Sequence, residues 1–229
     1  MKKHIKTLCT LAILASINQA SAETFQLGVT GNITPTACTP AIASNGVVDY
    51  GVIKTESLNK DNYTWLDEKE ITLDISCNAP AKVALFATNG RKGSTLSDLN
   101  EGVTGAAWPA IRGNIPFAAG VAGFGLDGET KIGAYAVTVG QVVKDETNAA
   151  AIRSSDKISW GTGNANSLYN QEGRVQYITI KEESAVAPVA FTTATFPLKI
   201  IGYVNKTSEL DISKPIKLDG LTNIEMVYL

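Results

Sequence analysis

"KEITLDISCNAPAKVALFAT", residues 69–88, opens with strict alternation, placing Ile71, Leu73 and Ile75 on one face and Thr72, Asp74 and Ser76 on the other. A period of two fits a strand buried on one side only. "KVALFAT" (82–88) predicts a second strand, and Asn78-Ala79-Pro80 predicts a turn between the two. Outward from this pair, "GVVDYGVI" (46–53), "KIGAYAVTVGQVV" (131–143), "RVQYITI" (174–180), "FPLKIIGYV" (196–204) and "NIEMVYL" (223–229) complete a spaced set of strands. Only "DETNAAAIR" (145–153) reads as a short helix. The chain shows no sustained helical period, no repeat and no low-complexity linker. Such spacing predicts an all-β antiparallel sandwich.

The middle, roughly 89–130, is crowded with glycine and has little periodicity. It predicts long loops with one or two embedded short strands, the kind of segment in which a ligand site can reside on a rigid sandwich. Within it "GFGLDG" (123–128) matches G-x-G-x-x-G, but a dinucleotide fingerprint needs a helix to leave the loop. Here the exit, "ETKIGAYAVTV", is strand-like, so Asp127-Gly128 predicts a tight hairpin turn with positive φ.

Residues 1–22 read as an export signal: Lys2, Lys3 and Lys6, then the apolar run Leu8–Ile17, then Ala20-Ser21-Ala22 at a cleavage site. The run is too short and too interrupted for a membrane span. Without it, 207 of the 229 residues remain, with 17 Lys and Arg against 22 acids, a formal charge of −5. That mild acidity argues against a nucleic-acid partner. His4, the only histidine, is lost, and Cys38 and Cys77 are the cysteines that stay. In an exported chain they pair most simply as a disulfide, closing a loop that contributes roughly 4 kcal/mol in the chain-entropy model.

Loss of His4 also removes Ser-His-Asp and Cys-His catalysis. A carboxylate pair remains possible, and "DEKE" (67–70) and "KEE" (181–183) supply acids, although they sit in lysine-containing runs that read as solvated strand edges. No cofactor or metal motif appears. Trp65, Trp108 and Trp160 with Tyr63 and Tyr169 are candidates for a sugar-stacking platform, "AAWPAIRG" (106–113) being the most exposed-looking stretch; core or loop anchoring is their other reading. Three classes stay open: a structural subunit, a monomeric secreted carbohydrate-binding sandwich, and a carboxylate glycosidase.

The two ends carry a resemblance. "ETFQLGVTGNITPTAC" (23–38) alternates Phe25, Leu27, Val29, Gly31 and Ile33 ahead of Cys38; Cys77 closes "ITLDISC"; and the chain ends on an alternating strand with penultimate Tyr228. Over roughly 23–90 and 190–229 the chain resembles subunits of chaperone–usher fimbriae, in particular a larger group of fimbrial-like proteins. The Gly-rich middle has no counterpart in that resemblance.

The resemblance implies an immunoglobulin-like sandwich lacking its final strand, a donor-strand extension at 23–36, and a pilin-like domain at 37–229. It implies a non-enzymatic role in cell adhesion at the fimbrium, reached through the periplasm. The implied partners are a periplasmic chaperone, an outer-membrane usher, other fimbrial subunits, and a host or surface glycan. Phe25, Leu27, Val29, Gly31 and Ile33 become five alternating groove positions, with glycine at the shallow fourth. Burying the four larger side chains contributes ~6–12 kcal/mol gross. Thr34-Pro35-Thr36 detaches this strand from the body. Ile224, Met226, Tyr228 and Leu229 become the groove- and chaperone-facing edge, the Leu229 carboxylate being held by basic chaperone residues. A donor strand also argues against a two-domain tip adhesin. One departure stands out: the glycine expected fourteen residues from the end is Ile216, and the nearest is Gly220.

Overall fold

The computed structural model describes residues 28–30, 36–163, 166–181 and 184–229. Of two units, Met1–Thr34 and Pro35–Leu229, the second holds every described element. In chain order its strands are β1 (Cys38–Ile42), β2 (Thr64–Trp65), β3 (Lys69–Ala81), β4 (Val83–Asn89), β5 (Ala122–Gly123), β6 (Leu126–Asp127), β7 (Thr130–Lys131), β8 (Gly133–Val139), β9 (Val142–Lys144), β10 (Thr147–Ser154), β11 (Tyr177–Lys181), β12 (Phe191–Val204) and β13 (Thr222–Tyr228). All the strand pairs are antiparallel, and the fold is all-β.

One layer runs β1-β3-β12-β8, with β2 pairing beyond β3 and β9 beyond β8 along β12; the other runs β10-β11-β4-β13. β10 joins them, pairing with β9 through residues 147–149 and with β11 through 150–154. β3 and β4 lie in different layers although only Lys82 separates them. Asn78-Ala79-Pro80 is therefore not a turn: β3 continues through it, and the crossing falls at Lys82. Ile71, Leu73 and Ile75 of β3 meet Leu85 of β4 and Ile178 and Ile180 of β11 in one buried core.

β12 carries a proline in a central strand, which normally forfeits a ladder bond. Pro197 pairs with Thr72 on one side. Its carbonyl accepts from Gly140 N, in the gap between β8 and β9, so its missing N–H faces that same gap. Beyond it, Leu198 and Ile200 enter the main core. Ile201 and Tyr203 join a second cluster with Ala134, Ala136, Leu96, Ile115 and Val121. The Gly-rich middle thus packs as a third layer on the outer face of β8 and β12. Its embedded strands are β5 and the hairpin β6–β7, where Gly128 has φ +62°.

"DETNAAAIR" forms β10, not a helix. Alanine favours helix, but a nine-residue helix is marginal alone, and strands on both sides satisfy this backbone instead. Its hairpin turn is Asp145-Glu146, both at positive φ (43° and 66°), as a two-residue mirror-type turn requires. The Asp145 carboxylate accepts the Thr192 and Thr193 N–H groups at 3.0 and 2.8 Å, tying the turn to the bulge in β12. Partial burial opposes the charge, but these bonds and Lys144 outweigh it and lower the Asp145 pKa to about 2. Asp145→Ala is expected to cost about 1–2 kcal/mol, with Asp145→Asn milder because asparagine tolerates positive φ. The wild-type contribution is complete above the ordinary aspartate value of 3.8 and is lost as pH falls toward 2. Urea melts of wild type and Asp145→Ala at pH 7 and pH 2.5 check this, the difference between the two proteins shrinking at the lower pH.

Candidate functional site

Two extended segments of this sandwich have no strand partner along one side. The first is Val47–Ile53, the "GVVDYGVI" stretch. It has strand-like sequence, yet its backbone bonds among the described residues are only Val47 N to Ser44 O and Gly51 N to the Asp49 carboxylate. The second, residues 212–221, leads into β13, which pairs with β4 on one edge and leaves its other edge free. Between them lies an apolar trench of about 720 Å³.

Its floor comes from the inner faces of β3, β8 and β12 (Ile71, Val137, Leu198, Ile200), with Tyr135 and Phe124 at one end. Phe124, from the Gly-rich middle, lies 4.9 Å from the Tyr135 ring and edge-on to Tyr50 at 6.3 Å. Glycines make room for it. A Cβ on Gly202, Gly133 or Gly220 would approach the Phe124 ring to 2.8, 3.1 or 3.2 Å. Gly220 therefore has a packing reason at its own place in the wall.

On the β13 side Ile216, Leu218, Thr222 and Ile224 line the trench half-buried, Gly220, Lys217 and Leu221 line it at its exposed margin, and Asn223 and Glu225 are exposed outside it. On the opposite wall Val48 and Tyr50 turn inward. Gly51, at φ +64°, breaks the alternation, so that Val52 is 93% exposed and Ile53 turns back in. Burial and nearby Asp67 push the Tyr50 phenol up to about 12, and its buried hydroxyl has no hydrogen-bond partner. At the foot of β13, Tyr169 donates to Thr222 Oγ1 at 2.9 Å, and Tyr135 shares a 2.9 Å bond with the same oxygen. Burial raises both phenols, Tyr135 to about 12, so they stay protonated across ordinary pH.

The expected site residues fall as follows. Cys38 and Cys77 are directly opposed in the β1–β3 ladder and disulfide-bonded. Ile224 lines the trench, and Met226 packs half-buried on the main core. Tyr228 accepts the Cys38 N–H at 2.7 Å, joining the end of β13 to the start of β1, and Leu229 N donates to Lys82 O. Val29 is 90% exposed. Phe25, Leu27, Gly31 and Ile33 lie outside the described residues.

Four of the five candidate aromatic residues are anchors, and Trp160 is half-buried. Trp65 and Tyr63 pack on Tyr203, Tyr169 is buried, and Trp108 stacks under the Arg112 guanidinium at 3.9 Å. "AAWPAIRG" is largely inside, with Ala106 and Ala107 fully buried, in keeping with the anchoring reading and not with an exposed platform. Glu68 pairs with Lys199 at 2.8 Å.

Sequence reasoning missed Ile212, Ile216, Leu218, Gly220, Val48 and Tyr50. The signal was present: the alternation of β13 extends backward without a break through Thr222, Gly220, Leu218 and Ile216.

Comparison with known proteins gives one family match over part of the chain and two relatives that align with nearly all of it. Residues 27–136 match a family described as "Protein of unknown function (DUF1120)". The chain is 28% identical to Protein GltF of Escherichia coli (strain K12), with 98% of each chain covered. It is 24% identical to Uncharacterized protein YhcF of the same strain, with 99% of each covered.

Proposed function

We propose that the chain is a structural subunit of a chaperone–usher fimbria, polymerising by donor-strand complementation. The observation that supports this most is the trench: an apolar slot between two extended walls, each with backbone groups free on the side that faces the slot. A single strand laid there would pair with both walls and bury alternate side chains on the floor, completing the second layer of the sandwich. The N-terminal stretch 23–36 has the matching alternation, and the strand it completes belongs to another subunit. Such a head-to-tail contact does not close on itself and extends into a filament. The periplasmic chaperone occupies the slot before assembly, and the usher exchanges it for the next subunit. The usher and chaperone then bring the chain to the cell surface.

The sugar-binding alternative loses support, because Tyr63, Trp65 and Tyr169 pack into the two cores and Trp108 is stacked on Arg112. The test is assembly of the chain of residues 23–229, watched by light scattering and negative-stain microscopy. Wild type is expected to form filaments or ladders of oligomers that a synthetic 23–36 peptide suppresses. Leu27→Asp with Ile33→Asp is expected to abolish them. A monodisperse monomer, equally stable with or without the peptide and indifferent to both substitutions, would sink the proposal.

A further inference from the structure

The two walls of the trench are not held alike. The wall at 47–53 has, among the described residues, no backbone bond beyond its own turns. The wall at 212–221 is tied down at several points, all reaching residues of the Gly-rich middle. Lys214 Nζ meets Asp127 Oδ1 of the β6–β7 hairpin at 2.9 Å. Arg91 grips Asp219 in a fork, Nε to Oδ2 at 2.8 Å and an Nη to Oδ1 at 3.1 Å, with Nε also reaching the Asp219 carbonyl at 3.0 Å. Asp219 N donates to Phe124 O at 2.8 Å, and Gly90 N to Leu221 O at 2.7 Å. None of these bonds uses the backbone N–H or C=O of Ile216, Leu218 or Gly220.

We propose that the Gly-rich middle is a brace that presets one wall of the trench, and that Arg91, Asp127 and Asp219 are positioning residues for capture of the incoming strand. The proposal rests on the reading of the trench as a strand acceptor. An apolar slot without its strand tends to close on itself, and every closed molecule must reopen before it can bind, which lowers the apparent association rate by the open fraction. A wall fixed from outside keeps its register and its free backbone edge available. The arriving strand pairs first with the braced β13 side, and the unbraced 47–53 wall closes over it afterwards. The brace therefore acts on association. Contacts made by the seated strand set dissociation.

A charged pair this exposed is ordinarily weak, but the fork and the added carbonyl bond make Arg91–Asp219 a geometrically favourable case. The experiment uses the chain of residues 23–229 with its own extension silenced by Leu27→Asp and Ile33→Asp, and a fluorescent peptide of residues 23–36 as probe. Stopped-flow anisotropy reads association and a chase with unlabelled peptide reads dissociation. Arg91→Gln is expected to slow association by roughly five- to tenfold and to leave dissociation within about twofold. Arg91→Lys, which keeps charge without the fork, should fall between. Lys214→Met repeats the effect at the other attachment, and hydrogen exchange of amides 214–221 rises in both variants. Unchanged association with Arg91→Gln, or a loss confined to dissociation, overturns the brace while leaving strand capture intact. A peptide that binds no form of the chain removes both.

Discussion

Phe124→Ala is expected to destabilise the folded chain by about 3–5 kcal/mol, the usual range for removing a buried phenylalanine. Its ring is 5% exposed and touches three structures at once: the Tyr135 ring, the Tyr50 edge, and a socket left open by Gly133, Gly202 and Gly220. The socket glycines carry no side chains to refill the space, so the cavity term should be near the upper end. For a chain of this size the melting temperature should fall by roughly 6–20 °C. Phe124→Leu, which fills part of the socket, should lose less than half as much. The same substitution removes the end of the trench floor, so Phe124→Ala should also weaken capture of the 23–36 peptide more than its effect on melting alone explains. A melting shift below about 2 °C would show that the ring is not the keystone of this end of the sandwich.

Removing the disulfide is the second large perturbation. The Cys38→Ser/Cys77→Ser double variant, which leaves no thiol beyond residue 22, should cost about 2–5 kcal/mol, or roughly 4–20 °C in melting temperature. The native-state consequence is local. Cys38 opens the edge strand β1, and the backbone N–H of that residue is the group that holds the Tyr228 hydroxyl. Freed of Cys77, the start of β1 should fray and release the end of β13 with it. Hydrogen exchange in 38–42 and 224–229 should rise together in the double variant and in wild type under reductant. Equal protection in oxidised and reduced protein would contradict this coupling.

Much of this was legible in the chain. Alternation at Ile71, Leu73 and Ile75 depends on nearest-neighbour geometry alone, so it reports β3 wherever that strand pairs. With residues 1–22 read as an export signal, Cys38 and Cys77 were left as each other's partner. Asp127-Gly128 declared a hairpin because few residues accept positive φ. Local signals failed where a distant partner outvoted them. The alanine run of 147–151 became a strand because β9 and β11 flank it, and Pro80 ended a continuing strand instead of a turn because the chain changes layers at Lys82.

What only the tertiary structure decided is which strand-like segments lack a partner. "GVVDYGVI" and "PIKLDGLT" have the periodicity of ordinary strands, since side-chain alternation is blind to whether a ladder exists on either edge. The two segments lie about 160 residues apart in sequence, and the fold leaves both facing a common slot. The Gly-rich middle likewise showed no period because it packs by close backbone approach onto an already formed sheet. Such packing is set by the shape of β8 and β12, and becomes readable only when they stand side by side.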